Sequence, residues 1–375
     1  MKVRTARSRI SLGIMKLLTG LRKELGNLCF LILATVGVFL ATGAITPCVF
    51  AAQNHKAASK GHVGRVQVGL DVLEAEKFAP LRGKHVGLIT NHTGLDYQGR
   101  TIIELLAHAP GVQLVALFSP EHGIAGHADE KVASSQDPST GLPIYSLYGD
   151  TRRPTDEMLK GIDALVFDVQ DAGVRFYTYT TTMGYCMEEA AKRGISFYVL
   201  DRPNPINGDT VEGPMLDADK TTFVAYFPIP VRYGLTIGEL AQLYNGEKHL
   251  NCDLHVVPMK NWHRNYFYES TGLRWIPPSP NLRTLKGTIL YPGLEILQDA
   301  GVSVGRGTEA PFEEFGAPWI DGEEVAGSVL QAIVSGEKHE RRGVRRFGDH
   351  VRDHDLHFLD LLALRFLGVG HGISS

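Results

Sequence analysis

Five short stretches of this chain are apolar almost from end to end, and they limit its fold more than any other feature. They read HVGLIT (85–90), VQLVALF (112–118), DALVFDV (163–169), ISFYVLD (195–201) and DLHVVPM (253–259). A strand with one wet face alternates apolar and polar side chains; these do not, so both of their faces must be covered. Between them lie TIIELLAHA (101–109), TDEMLKGI (155–162), TTMGYCMEEAAKRG (181–194) and TIGELAQLYNGE (236–247), with apolar residues at helical spacing and several opening on a Thr cap. Strands buried on both faces and separated by helices imply a doubly wound α/β domain with a mostly parallel sheet. With 375 residues, 43% of them hydrophobic, the chain can fill one large domain of this kind, or two domains.

In such sheets ligands bind beyond the carboxyl ends of the strands. The residues that follow the apolar runs are therefore the informative ones. Asn91, His92 and Thr93 follow the first; Ser119, Pro120, Glu121 and His122 the second; Asp168, Gln170, Asp171 and Arg175 the third; Asp201, Arg202, Asn204 and Asn207 the fourth. Nearly every run thus ends in chemically capable side chains, which form the rim of an expected cleft. Two further stretches, WIPPSPNL (275–282) and GVSVGRGTEAPFEEFGAPWIDG (301–322), are rich in Pro, Gly and aromatics. Aromatic faces such as Trp275, Trp319 and Phe312 suit the apolar faces of sugar rings, or else pack their loops onto the core.

The net charge of −3, from 38 basic and 41 acidic residues, offers no overall field for gathering DNA, RNA or an anionic membrane. A small or neutral polymeric substrate is expected, and no nucleic acid. GxxxxGK followed by Ser or Thr is absent, and GRGTEAP (305–311) lacks the rest of a dinucleotide fingerprint. No cofactor is expected. Carboxylates remain, and glycoside hydrolysis uses them in pairs, one to protonate the leaving oxygen and one to activate water or attack the sugar. Glu121, Asp168, Asp171 and Glu309 could meet in one cleft. Glu121 is the favoured acid, because Pro120 stiffens its backbone and the apolar strand beside it would help strip it of water; its alternative is a loop carboxylate capping the next turn. His92, His122, His127 and Asp168 could instead hold a hydrolytic zinc, but their spacing matches neither HxxxH nor HExxH, and no metal site is expected.

The first 52 residues are a separate object. Basic residues from Lys2 to Lys23 precede LCFLILATVGVFLATGAI (28–45), and CVFAAQ (48–53) then supplies small residues. This pattern predicts an export signal cut near Ala51 or Ala52, or else an uncleaved membrane anchor. Either would place the rest of the chain outside the cytoplasm, in the periplasm or beyond, with the leader as its single membrane link. Residues 53–64 read as a polar linker. Cys186 and Cys252 follow the leader, without CxxC spacing, and could form at most one bridge in an oxidising compartment.

Taken in order, GLDVL, VGLITNHTG, LFSPEHGI, DVQDAGVRFYTYTTTM, DRPNPINGDTVEGP, RYGLTIGELAQLYN, WIPPSPNL, YPG and VSVGRGTEAPFEEFGAPWI resemble the bacterial exo-β-N-acetylmuramidases of the NamZ type, from about residue 66 to 322. The resemblance implies a Rossmann-like domain followed by a smaller C-terminal domain, with the active cleft between them. It also implies removal of terminal N-acetylmuramic acid from the non-reducing end of peptidoglycan fragments, with MurNAc-GlcNAc as the sugar partner. On this basis Glu121 is the expected acid, with His122, Asp168 and Asp171 as further catalytic candidates. Substrate contacts are expected from Asn91, His92, Gln170, Arg175, Arg202, Asn204, Arg306 and Glu309. The lactyl carboxylate of muramic acid wants a bidentate partner, for which Arg306, Arg175 and Arg202 are candidates; the last two have internal ion pairing as their alternative.

From about residue 323 the pattern departs. GEKHERRGVRRFGDHVRDHDLHF (336–358) shows no strand alternation, although LHFLDLLALRFLGV (356–369) has the apolar spacing of a short helix. The expected division is a catalytic domain over 65–322 and a truncated or divergent C-terminal segment over 323–375. Three functions compete: an exported glycosidase, a wall-sugar binder that lost activity with its second domain, and a metal-dependent hydrolase.

Overall fold

The computed structural model describes residues 64–128 and 133–335. The leader, nearly all of the expected linker and the expected helix at 356–369 lie outside the described residues.

The five apolar runs form β1 (His85–Thr90), β2 (Gln113–Ser119), β5 (Ala164–Asp168), β6 (Ser196–Leu200) and β7 (Leu254–Val257). With β3 (Ser135–Gln136) and β4 (Pro143–Ser146) they make a seven-stranded sheet in the order β3-β4-β2-β1-β5-β6-β7. Every neighbouring pair is parallel except β3 and β4. The chain winds outward from β1 through β2 to β4, then returns to place β5 on the other side of β1. The winding therefore reverses between β1 and β5, which is where a doubly wound sheet opens a crevice at its carboxyl edge.

Pleating sends successive side chains to opposite faces, so Leu88 and Ile89, both fully buried, enter different cores. Leu88, Val86, Leu117 and Val166 pack with Leu70 and Leu73 of α1 (Gly69–Ala75) and Ile102 and Leu106 of α2 (Ile102–Ala107). Ile89, Phe118, Phe167 and Phe197 pack with Met183 and Met187 of α3 (Tyr179–Arg193) and Leu240 and Tyr244 of α4 (Ile237–Glu247). Two covered faces explain why these strands carry no polar stripe. α4 starts on the capping box Thr236/Glu239, and α3 ends at Gly194 with φ 66°, a left-handed position that suits glycine. Two further helices follow, α5 (Leu285–Gln298) and α6 (Gly322–Ser335), the second lying within the segment expected to diverge.

One expectation about local structure needs correction, and two features go beyond the sequence reading. TDEMLKGI (155–162) forms turns rather than a helix. It is too short to offset helix nucleation, and it ends at Gly161 in the left-handed region, φ 76°. The strand β4 has no counterpart among the apolar runs, because it is four residues long, begins on Pro143 and is buried only at alternate positions. Cys186 and Cys252 are buried free thiols and form no bridge with each other.

Candidate active site

The carboxyl ends of β1, β2 and β5 converge on the first turn of α3, and Glu121 stands where they meet. It begins the turn that follows β2 and is half-buried. Thr178 is the N-cap of α3, yet its hydroxyl caps no helix amide. It gives its hydrogen bond to Glu121 Oε2 instead. An N-cap side chain ordinarily contributes about 1 kcal/mol to its helix; here that contribution is given up to hold a carboxylate at the positive end of the helix dipole. The Tyr148 hydroxyl is a second partner of Glu121, and burial together with the Glu121 charge pushes it up to about 12, so it remains a donor. The wall around Glu121 is thus made of hydroxyls. His122 follows with φ 69° and Gly123 with φ 73°, two left-handed residues that turn the chain sharply. The His122 Nδ1 lies 2.6 Å from the Ala128 carbonyl oxygen, so it is Nδ1 that carries the proton there.

A second layer ties this turn to the Pro-rich segment. The Asn91 side chain donates to the Tyr179 hydroxyl at 3.0 Å, and Tyr179 in turn donates to the Pro278 carbonyl at 2.7 Å. His92 Nε2 donates to the Pro277 carbonyl at 2.8 Å. Burial lowers the His92 pKa, with His127 and His122 adding to the effect against that hydrogen bond, which keeps the ring neutral. WIPPSPNL is therefore pinned across the strand ends by side chains from the turn after β1 and from α3.

The two Asp candidates lie deeper. Asp168 is fully buried and bound in two places by Arg202, from Nε at 2.6 Å and Nη2 at 2.8 Å. Burial raises its pKa against the pull of Arg202. Asp171 is buried as well; its Oδ2 accepts from the Gly173 amide at 2.6 Å and from the Tyr233 hydroxyl. Its Oδ1 has no partner, and burial pushes the group up to about 6. Gln170 donates to the carbonyls of Asp171 and Pro203 at 2.9 and 2.8 Å. Asn204 donates to Leu235 at 2.9 Å, and Arg175 Nη1 to Pro214 and Ile229 at 2.8 and 2.5 Å. These residues knit the loops beneath the site. Arg306 and Glu309 are exposed on the 301–322 stretch, with Arg306 Nη2 3.0 Å from Glu295. Of the aromatics expected to meet sugar, Phe312 does not: it is 1% exposed and packs edge-on against Tyr291, because its left-handed backbone (φ 59°) turns it inward. Trp275 is half-buried, and Trp319 is 69% exposed.

The sequence reading missed Thr178, Tyr148 and Tyr179. The signal was available in RFYTYTTTM, where six successive hydroxyl residues, Tyr177 to Thr182, lead into a helix, but nothing local shows that Thr178 turns away from its own helix. Among the described residues, no group of three or more His, Cys, Asp and Glu is arranged to hold a metal ion. A cleft of about 210 Å³ is lined by Thr93, Gln170, Arg202 and Ile276 among others, and its lining does not include Glu121.

Comparison with known proteins gives a consistent picture. The family model described as exo-beta-N-acetylmuramidase NamZ, N-terminal, matches residues 86–286, and the corresponding C-terminal model matches residues 289–341. A peptidoglycan beta-N-acetylmuramidase NamZ of Bacillus subtilis (strain 168) is 47% identical over 263 residues, which is 70% of this chain and 64% of that protein. The chain thus spans less than two thirds of that relative's length. Two crystal structures of DUF1343 family proteins from Bacteroides fragilis NCTC 9343 superpose on it. One is 48% identical with a TM-score of 0.68, covering 71% of this chain and 69% of the other; the second is 38% identical with a TM-score of 0.60, covering 68% of each.

Proposed function

Because the chain belongs to the exo-β-N-acetylmuramidase NamZ family, whose N-terminal model matches more than half of it, we propose that it is an exo-acting glycosidase. In this reading it releases terminal N-acetylmuramic acid from the non-reducing end of peptidoglycan fragments, outside the cytoplasm. The observation that carries the proposal is the Thr178 hydroxyl withdrawn from its helix to hold Glu121. Helix stability is spent there on the orientation of one carboxyl group, which is what proton transfer to a leaving oxygen demands.

Glu121 protonates the glycosidic oxygen and then takes the proton back from water. Thr178 and Tyr148 fix the plane of its carboxyl group, and His122 shapes the turn. Asp168, committed to Arg202, and Asp171, enclosed by protein, support the loops, which leaves Glu309 as the exposed member of the carboxylates considered for the second role. Arg202 is buried on Asp168 and Arg175 is half-buried on two carbonyls; Arg306 pairs with Glu295 but is the exposed one of the three, so recognition of the lactyl carboxylate falls to Arg306.

The test is hydrolysis of a chromogenic N-acetylmuramide by the full-length chain, beside the matching N-acetylglucosaminide and the Glu121→Gln variant. Turnover of the muramide alone, reduced at least 10²-fold by Glu121→Gln, is expected, since one general acid contributes about 10² to 10⁴. Equal activity in the variant would remove Glu121 from the reaction.

A further inference from the structure

The cleft of about 210 Å³ has chemistry of its own. Its apolar walls include Val68, Leu95 and Leu273, and Arg65, Arg202 and Arg274 contribute three guanidiniums. Arg202 is neutralised by Asp168, and the cleft's own acid, Asp96, is neutralised by Arg100, whose Nε donates to it at 2.7 Å. Arg65 and Arg274 have no carboxylate partner among the described residues. Two positive charges are therefore left over at one small cleft.

Neither arginine sits on a loose end. The Val66 amide donates to the Thr271 carbonyl at 3.2 Å, and the Asn261 side chain donates to the Arg65 carbonyl at 3.1 Å. The Arg65 stem rests on Gly272, where a Cβ would come 3.3 Å from Cγ, and its guanidinium lies 4.0 Å above the Tyr97 ring. That places Arg65 two residues along from Arg274. The Arg274 backbone is held in turn by the Tyr268 hydroxyl, which donates to its carbonyl at 3.2 Å.

We propose that this cleft is a second binding site, distinct from Glu121, for a small organic carboxylate with a compact apolar body. Guanidiniums match carboxylates in geometry and charge, and the apolar walls exclude a bare inorganic ion as the best fit. A volume of about 210 Å³ is below that of pockets for drug-sized ligands, about 300 to 1,000 Å³, so the ligand is no larger than one small ring or an acylated amino acid. The inference does not depend on the glycosidase reading. The carboxylate can come from a free acid in solution or from an acidic sugar.

Calorimetric titration of the full-length chain distinguishes these sources. The probes are N-acetyl-D-alanine against its neutral amide, and N-acetylmuramic acid against N-acetylglucosamine, each repeated on an Arg65→Gln/Arg274→Gln variant and on Glu121→Gln. Both arginines are exposed, so the double variant should keep its thermal midpoint. The expected result is that at least one acid binds more tightly than its neutral partner, loses at least tenfold in affinity in the double variant and is unaffected by Glu121→Gln. Preference for N-acetyl-D-alanine identifies a free acid, and preference for N-acetylmuramic acid a sugar-borne one. If neither acid is favoured over its neutral partner in the unmodified chain, or if the double variant binds as before, the proposal fails.

Discussion

Replacing Asp171 by Asn should stabilise the protein at neutral pH and flatten the dependence of its stability on pH. The carboxyl group is enclosed, one oxygen has no partner, and the surrounding hydroxyls of Tyr177, Tyr179, Tyr233, Tyr244 and Tyr291 are themselves made harder to ionise by burial. Burial moves the group from 3.8 to about 6. At about 1.4 kcal/mol per pH unit, that difference amounts to about 3 kcal/mol. Since the folded value lies above the unfolded one, the stabilising contribution is complete below pH 3.8 and is lost as the pH rises through about 6. Asn keeps an acceptor for the Gly173 amide and the Tyr233 hydroxyl and carries no charge. The variant should therefore gain roughly 3 kcal/mol over the unmodified chain at pH 7.5, or about 6 °C in thermal midpoint for a domain of this size. Asp201, pushed up to about 7 by burial, acts with the same sign, so a residual slope should persist in the variant. Thermal and urea unfolding at intervals from pH 4.5 to 7.5 would test this. A lower midpoint for Asp171→Asn at pH 7.5, or identical pH profiles for the two proteins, would refute the reasoning.

Thr178→Val should cut kcat/KM roughly tenfold or more, as expected for a lost hydrogen bond to a charged group. The thermal midpoint should fall by only a few degrees, because one hydrogen bond but no helix cap is lost, and Thr178→Ser should restore most of the activity. Gly126→Ala should be more damaging than its position suggests: the added methyl would sit 2.0 Å from the His92 ring, and the backbone there has φ 73°. Displacement of His92 should show as loss of activity together with a shifted imidazole resonance. Arg306→Ala should weaken muramic-acid substrates far more than matched glucosamine ones, measured as the ratio of kcat/KM values, whereas an equal loss for both would remove Arg306 from lactyl recognition.

Much of this protein could be read along the chain, and the boundary between what could and what could not has a physical cause. Burial on both faces is a property of a segment's own composition, so HVGLIT and DALVFDV announced central strands, and the parallel sheet placed Asn91, Glu121 and Asp168 at one edge. What each of them does there depends on partners far away in sequence. Asp168 and Glu121 are both carboxylates behind apolar strands, yet Arg202 claims the first across 34 residues and Thr178 holds the second across 57. Phe312 looked as available as Trp319 until packing against Tyr291 buried it. Arg65 and Arg274 lie 209 positions apart, and a shared cleft with no neutralising carboxylate was invisible until the fold closed around Gly272. The sequence by itself determined which segments had to be covered and which edge would carry chemistry, because those follow from local periodicity. Only the tertiary structure decided which charges are neutralised, which hydroxyls leave their helices and which aromatics face water, because each of those outcomes is a competition among groups that only folding brings together.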